Sequence, residues 1–294
     1  MHDSHVMDLP DGRRLGWLEL GDPDAWPTFG FHGTPGSRLQ FALPDALQPA
    51  GVRLIFPDRP GYGLSTYQSG RRLTDWPGDV AQLADHLGVA EFSVFGVSGG
   101  GPHSAACAAV LGDRVAAAAI VSGVGPLSHP DATEGMMPAN RVVTVLARRR
   151  SRLLRGVMRL QVAGLHRWPE QSLKMMTKQL PPADVAILER PEIRSLFLDD
   201  ARNISRDAGR ACAQDFELFV ADWGFDLGAI TVPVHIWQGD ADRNVPPGHG
   251  RLLHDAIPGS VFHECPGEGH FLGIDRIAEI AAAITPAQPA RATT

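Results

Sequence analysis

The chain has 294 residues, which is long for one domain and short for two full ones. Hydrophobic residues make up 44% of it and charged residues 20%, a balance typical of a globular protein with a large core and not of a disordered chain. The formal net charge of −6 argues against a nucleic-acid partner. Three scattered cysteines predict reduced thiols, and the N-terminus lacks the apolar run of a signal peptide, so a cytoplasmic location is expected.

Strand and helix patterns alternate along most of the chain. A hairpin is predicted around Asp11-Gly12, and further strands over 28–31, 52–56, 92–97, 115–122, 232–238 and 260–265. Helices are predicted over 39–50, 75–87, 247–257 and 275–284, with another directly after residue 97. Alternation of this kind predicts an α/β fold with a mostly parallel, doubly wound sheet. Ligands are then expected at the carboxyl ends of the strands.

Residues 131–225 interrupt this alternation. They hold 15 Lys and Arg against 12 Asp and Glu, in a chain that is acidic as a whole. Helices are predicted over 138–160, 170–180, 183–190 and 191–223. The predicted organisation is therefore a core of residues 1–130 and 226–285, an all-helical cap at 131–225, and a disordered tail at 286–294.

A serine lies between glycines where the strand over 92–97 gives way to a helix. The sequence Gly96-Val97-Ser98-Gly99-Gly100 has the spacing of a nucleophile elbow, in which a strained turn exposes the serine hydroxyl. Glycine is needed at both Gly96 and Gly100 because a Cβ at either position would clash across the turn. The alternative is a glycine-rich turn in which Ser98 only caps the helix.

A serine hydroxyl needs a base to accept its proton, and the base needs an acid to orient it. His270 follows the last predicted strand, on a loop with glycines at 267 and 269. The alternative is a solvated loop histidine. Two carboxylates, Asp240 and Asp242, follow the strand over 232–238, and we favour Asp242 because its loop can fold back towards the histidine.

An oxyanion hole needs two N–H groups close to the developing negative charge. Gly99, directly after the serine, is the first predicted donor, and Thr34, beside the small Gly33, is the second. His32 is predicted to brace this loop, and His103 to be a packed helix residue with no catalytic role.

Five motifs together resemble the α/β-hydrolase fold superfamily, in members with a serine nucleophile, esterase-like chemistry and a helical cap. The motifs are His32-Gly33-Thr34-Pro35-Gly36, Asp58-Arg59-Pro60-Gly61-Tyr62-Gly63-Leu64-Ser65, Gly96-Val97-Ser98-Gly99-Gly100, Gly239-x-x-Asp242-x-x-Val245-Pro246 and Gly269-His270. The resemblance implies a Ser98–Asp242–His270 triad and a cap between the sixth and seventh strands. The motif order Ser, Asp, His is the order that this architecture uses.

The expected activity is hydrolysis of a carboxylic ester of a small, largely apolar substrate through an acyl-enzyme, without metal or cofactor. Cleavage of a C–C bond or a thioester by the same triad is the first alternative, and a ligand sensor with little turnover is the second. No membrane partner is expected, since the uncharged stretch over 92–112 is interpreted as a buried strand and helix.

Overall fold

One eight-stranded sheet organises residues 4–286, the part of the chain that the computed structural model describes. Its spatial order is β1-β2-β4-β3-β5-β6-β7-β8. The strands are β1 Ser4–Asp8, β2 Arg14–Gly21, β3 Trp26–Phe31, β4 Val52–Pro57, β5 Phe92–Val97, β6 Val115–Val121, β7 Val234–Gly239 and β8 Val261–Cys265. Only the β1–β2 and β2–β4 pairs are antiparallel, so the predicted mostly parallel α/β sheet is confirmed.

Helices cover both faces of the sheet, as a doubly wound fold requires. Those of the core are α1 Trp76–His86, α2 Gly101–Val110, α9 Pro247–Ala256, α10 Leu272–Asp275 and α11 Ile277–Ile284. One hydrophobic cluster joins α1 and α2 to one face of the sheet, and a second joins α11 to the other face. The central strands are apolar almost throughout because both of their faces are covered.

The helix predicted over 39–50 is wrong. The segment forms two short 3₁₀ turns, Arg38–Phe41 and Asp45–Leu47. Pro44 separates them because it lacks an N–H group and restricts the residue before it.

Six helices lie between β6 and β7: α3 Pro138–Arg148, α4 Arg152–Arg167, α5 Pro169–Thr177, α6 Pro182–Leu188, α7 Pro191–Asn203 and α8 Ala208–Phe219. The single helix predicted over 138–160 is two, since Arg150 has a φ of +47° and Ser151 caps α4 through the N–H of Leu153. The single helix over 191–223 is also two. Ser205 breaks it by accepting the N–H of Asp207 and donating to the carbonyl of Gly61. Below, the term cap denotes α3–α8.

The predicted hairpin at Asp11-Gly12 is confirmed, with Gly12 at a φ of +82° between β1 and β2. Within residues 4–286 no helix has the length and apolar character needed to cross a bilayer. The disorder predicted for 286–294 falls, apart from Pro286, outside the described residues.

Candidate active site

Ser98 stands at the turn between β5 and α2. Its φ of +55° lies in the left-handed region, which few residues other than glycine adopt without strain. A Cβ at Gly96 would overlap the carbonyl oxygen of Gly100, and a Cβ at Gly100 would overlap that of Phe31. Both positions therefore require glycine, for the steric reason that the elbow pattern predicts.

His270 and Asp242 meet at the carboxyl ends of β8 and β7. His270 Nδ1 lies 2.8 Å from Asp242 Oδ2, and both residues are buried. The other carboxylate oxygen of Asp242 accepts the backbone N–H groups of Asn244 at 2.8 Å and Val245 at 2.9 Å. The carboxylate is thus fixed by its own loop and leaves one oxygen for the imidazole.

The pKa of His270 lies above its ordinary value. Burial alone would lower it, but the charge and hydrogen bond of Asp242 and the charge of Asp184 outweigh burial. Asp240, the competing carboxylate, faces away and accepts the N–H of Gly267 at 2.7 Å near the surface. The structure therefore brings Asp242, and not Asp240, to the histidine.

Ser98 and His270 both line one cavity of about 590 Å³ beneath the cap. Among the described residues, Ser98 Oγ makes no hydrogen bond. The hydrogen bond between a catalytic serine and its histidine commonly tightens only when substrate is bound. The cavity wall is largely apolar and draws on the core and on the cap, including Leu127, Met136, Met137, Met175, Met176, Phe197, Phe216 and Phe219. Trp168, in contrast, is 55% exposed on the cap surface.

Thr34 lies against Gly99 across the mouth of the elbow. A Cβ at Gly99 would overlap Thr34 Oγ1 and would lie 3.2 Å from the Thr34 backbone nitrogen. Gly33 lies beside the serine, since a Cβ there would be 3.4 Å from Ser98 Cβ. The two predicted oxyanion donors are therefore neighbours beside the predicted nucleophile.

His32 braces this loop from behind. Its Nε2 accepts the backbone N–H of Arg59 at 3.0 Å, and its Nδ1 lies 2.9 Å from the carbonyl oxygen of Gly33. Burial, and then the positive charge of Arg59, holds the pKa of His32 well below its ordinary value. A neutral ring with Nδ1–H satisfies both contacts.

Comparison with known proteins identifies the group to which the chain belongs. The sequence profile of the alpha/beta hydrolase fold family matches residues 30–277. The chain belongs to the alpha/beta hydrolase fold family. This membership supports hydrolase activity.

Individual relatives of this alpha/beta hydrolase differ in their named activities. A probable proline iminopeptidase of Streptomyces coelicolor is 25% identical over 93% of the chain and 83% of its own length. An alpha/beta hydrolase fold protein from Nakamurella multipartita is 25% identical, with a TM-score of 0.69 over 96% of this chain and 99% of that one. A bromoperoxidase from Bacillus anthracis, 24% identical with a TM-score of 0.70 over 96% and 98% of the chains, shares the fold.

Three buried carboxylates of this hydrolase were missed by sequence reasoning, and all three come from the cap. Asp184 accepts backbone N–H groups of the His270 loop, Asp200 accepts the hydroxyl of Ser37, and Asp215 accepts the hydroxyl of Thr34. No motif marks them, because each contacts a core loop far away in the chain. In residues 4–286, no group of three His, Cys, Asp or Glu side chains is arranged to hold a metal ion.

Proposed function

We propose that the protein is a serine hydrolase that cleaves a carboxylic ester of a small, largely apolar substrate through an acyl-enzyme. The observation that carries the proposal is the buried His270–Asp242 pair, with a contact of 2.8 Å, on the wall of the cavity that Ser98 also lines. A histidine held in this way has its Nε2 free to act as a base.

In the proposed reaction, Ser98 Oγ attacks the acyl carbon while its proton passes to His270 Nε2. The tetrahedral oxyanion accepts hydrogen bonds from the backbone N–H groups of Gly99 and Thr34. His270 then returns the proton to the leaving alkoxide as the C–O bond breaks, which leaves an ester on Ser98. Water, activated by the same histidine, hydrolyses that ester and restores the enzyme.

Asp242 holds one tautomer of His270, with Nδ1–H, and stabilises the imidazolium that forms in each half of the reaction. The apolar side chains of the cavity favour a hydrocarbon-like acyl or alcohol group, since burial of apolar area drives its binding. The volume of about 590 Å³ suits a small molecule.

The test compares hydrolysis of p-nitrophenyl esters from acetate to decanoate by the wild type and by Ser98→Ala. The expected result is turnover that falls by several orders of magnitude in the variant, and a fluorophosphonate adduct located on Ser98 by peptide mass spectrometry. Equal rates in both proteins, or an adduct on another residue, would overturn the proposal. In that case C–C substrates, thioesters and ligand binding without turnover become the candidates.

A second candidate is hydrolysis of an amide with a free amino-terminal proline, the activity named for the Streptomyces coelicolor relative. The observation that favours it is Asp200, a carboxyl on the cavity wall whose pKa burial raises to about 7. A cationic amine would be a suitable partner for that carboxylate. Turnover of proline p-nitroanilide that exceeds turnover of the esters and falls in Asp200→Asn would favour this candidate.

A further inference from the structure

A charged cluster of Arg59, Arg71 and Asp215 is buried directly behind the Thr34 loop. Arg59 Nη1 lies 2.6 Å from Asp215 Oδ2, and Arg71 Nη2 contacts Asp215 Oδ1. All three side chains are almost fully buried. Asp215 belongs to α8 of the cap, whereas both arginines come from loops of the core, so the cluster joins the two parts of the chain.

The cluster has a net charge of +1, because two guanidinium groups surround one carboxylate. Burial opposes ionisation of Asp215, but Arg59 and Arg71 together hold its pKa well below the ordinary value. His103 Nε2 lies 3.4 Å from a nitrogen of each arginine, and burial together with Arg59 lowers the pKa of this histidine well below its ordinary value. His103 is therefore neutral and adds no charge.

The hydroxyl of Thr34 is part of this cluster. It donates its one proton to Asp215 Oδ2 at 2.7 Å and accepts from Arg59 Nη2 at 2.8 Å. Because its only proton is used in the hydrogen bond to Asp215, the hydroxyl cannot donate a hydrogen bond to a substrate oxyanion. The backbone N–H of Thr34 is the donor that stays available.

We propose that Asp215, acting through the Thr34 hydroxyl, is a positioning residue that orients the Thr34 backbone N–H towards the oxyanion. The inference rests on the proposed function. Arg59 contributes to the same orientation, because its Nη2 also donates to the carbonyl of Gly33 at 3.0 Å. The oxyanion hole is then complete only while α8 of the cap is docked on the core, and the net positive charge behind it favours the transition state.

Thr34→Val tests the inference, because valine has nearly the shape of threonine and keeps the backbone N–H. The fold should survive, since Asp215 retains Arg59, Arg71 and the Tyr62 hydroxyl at 2.8 Å. We expect kcat to fall roughly tenfold to a hundredfold with KM little changed, since a misplaced donor weakens only transition-state binding. Thr34→Ser, which restores the hydroxyl, should recover most of kcat.

Two further measurements separate positioning from stability. Phenylboronic acid forms a tetrahedral adduct on a nucleophilic serine, so its affinity should fall in Thr34→Val by the same factor as kcat/KM. Ser205→Ala is the matched control: it removes another hydrogen bond between cap and core, to the carbonyl of Gly61 at 2.6 Å, without contact to Thr34. It should leave both kinetic constants and the boronate affinity at wild-type values.

Asp215→Asn completes a double-mutant cycle with Thr34→Val. If Asp215 acts through Thr34, its substitution in the valine background adds little further loss of kcat. The inference would be overturned if Thr34→Val kept wild-type kcat and boronate affinity, or if Thr34→Val and Ser205→Ala lost activity equally. In either case an inactive Ser98→Ala would leave the proposed function intact. Full activity of Ser98→Ala would instead reject the proposed function on which the inference rests.

Discussion

Asp184 of the cap accepts the backbone N–H of His270, with 2.9 Å between its carboxylate oxygen and the amide nitrogen. Its other oxygen accepts the N–H of Phe271, also at 2.9 Å. A Cβ at Gly269 would overlap this carboxylate, so the glycine before the histidine makes room for it. The cap thus holds the loop of the predicted base from one side while Asp242 holds its ring from the other.

We predict that Asp184→Asn shifts the pH dependence of activity. The pKa of His270 is raised partly by Asp184, and the base works only when neutral, so wild-type kcat/KM should rise with pH through a value above the ordinary pKa of histidine. Loss of the negative charge lowers the pKa of His270 and moves the acidic limb to lower pH. The measurement is the pH profile of kcat/KM on a p-nitrophenyl ester.

The same substitution should lower kcat roughly tenfold to a hundredfold, since the asparagine amide leaves one backbone N–H of the loop without an acceptor. Glu189→Gln is the control, because it removes one negative charge from an exposed position just after α6. An unshifted acidic limb in Asp184→Asn, or the same shift in both variants, would contradict the electrostatic role of Asp184.

We predict a large difference between substitutions of the two carboxylates that follow β7. Asp242→Asn should lower kcat by roughly three to four orders of magnitude, because the amide no longer stabilises the His270 cation or its tautomer. Asp240→Asn should change kcat less than about twofold, since the contact it makes is with the Gly267 N–H near the surface and asparagine still accepts that bond. Similar losses in both variants would remove Asp242 from the proposed triad.

We predict opposite effects on stability for two glycine-to-alanine substitutions. Gly100→Ala places a methyl group against the backbone of Phe31 and should cost about 1–3 kcal/mol in the free energy of unfolding. Gly156→Ala, in α4, meets no atom within 4 Å and should add about 0.5–1 kcal/mol through helix propensity. Urea unfolding of both variants provides the check, and a neutral Gly100→Ala would reject the steric account of the elbow.

The core of this chain could be predicted from sequence because its signals are local. Buried strands appear as apolar runs, and the elbow requires glycines at fixed distances from Ser98. The helix predicted over 39–50 is wrong because Pro44 would lie in its interior, where proline lacks an N–H group and clashes with the preceding turn. The break at Arg150 was missed because no glycine or proline marks it.

The contribution of the cap to the site could not be predicted, and the reason is physical. Asp184 and Asp215 contact residues 86 and 181 positions away in the chain, at His270 and Thr34. In sequence, a carboxylate on an amphipathic helix is indistinguishable from one on a solvated face. Only the packing of the cap on the core turns these side chains inward, where they must find hydrogen-bond donors.

Asp200 leads to a final prediction, on the pH dependence of stability. Burial raises the pKa of its carboxyl from the ordinary 3.8 to about 7, against the opposing hydrogen bond from Ser37. The folded protein therefore binds a proton that the unfolded chain releases, so the contribution of Asp200 to stability should fall as pH rises between these values, by at most about 4 kcal/mol. Asp200→Asn removes this titration, so its Tm relative to wild type should increase from about pH 5 to about pH 8. Asp199→Asn, at the exposed neighbouring position, should show no such trend in Tm relative to wild type. A Tm difference between Asp200→Asn and wild type that stays constant with pH would mean that Asp200 stays ionised in the folded protein.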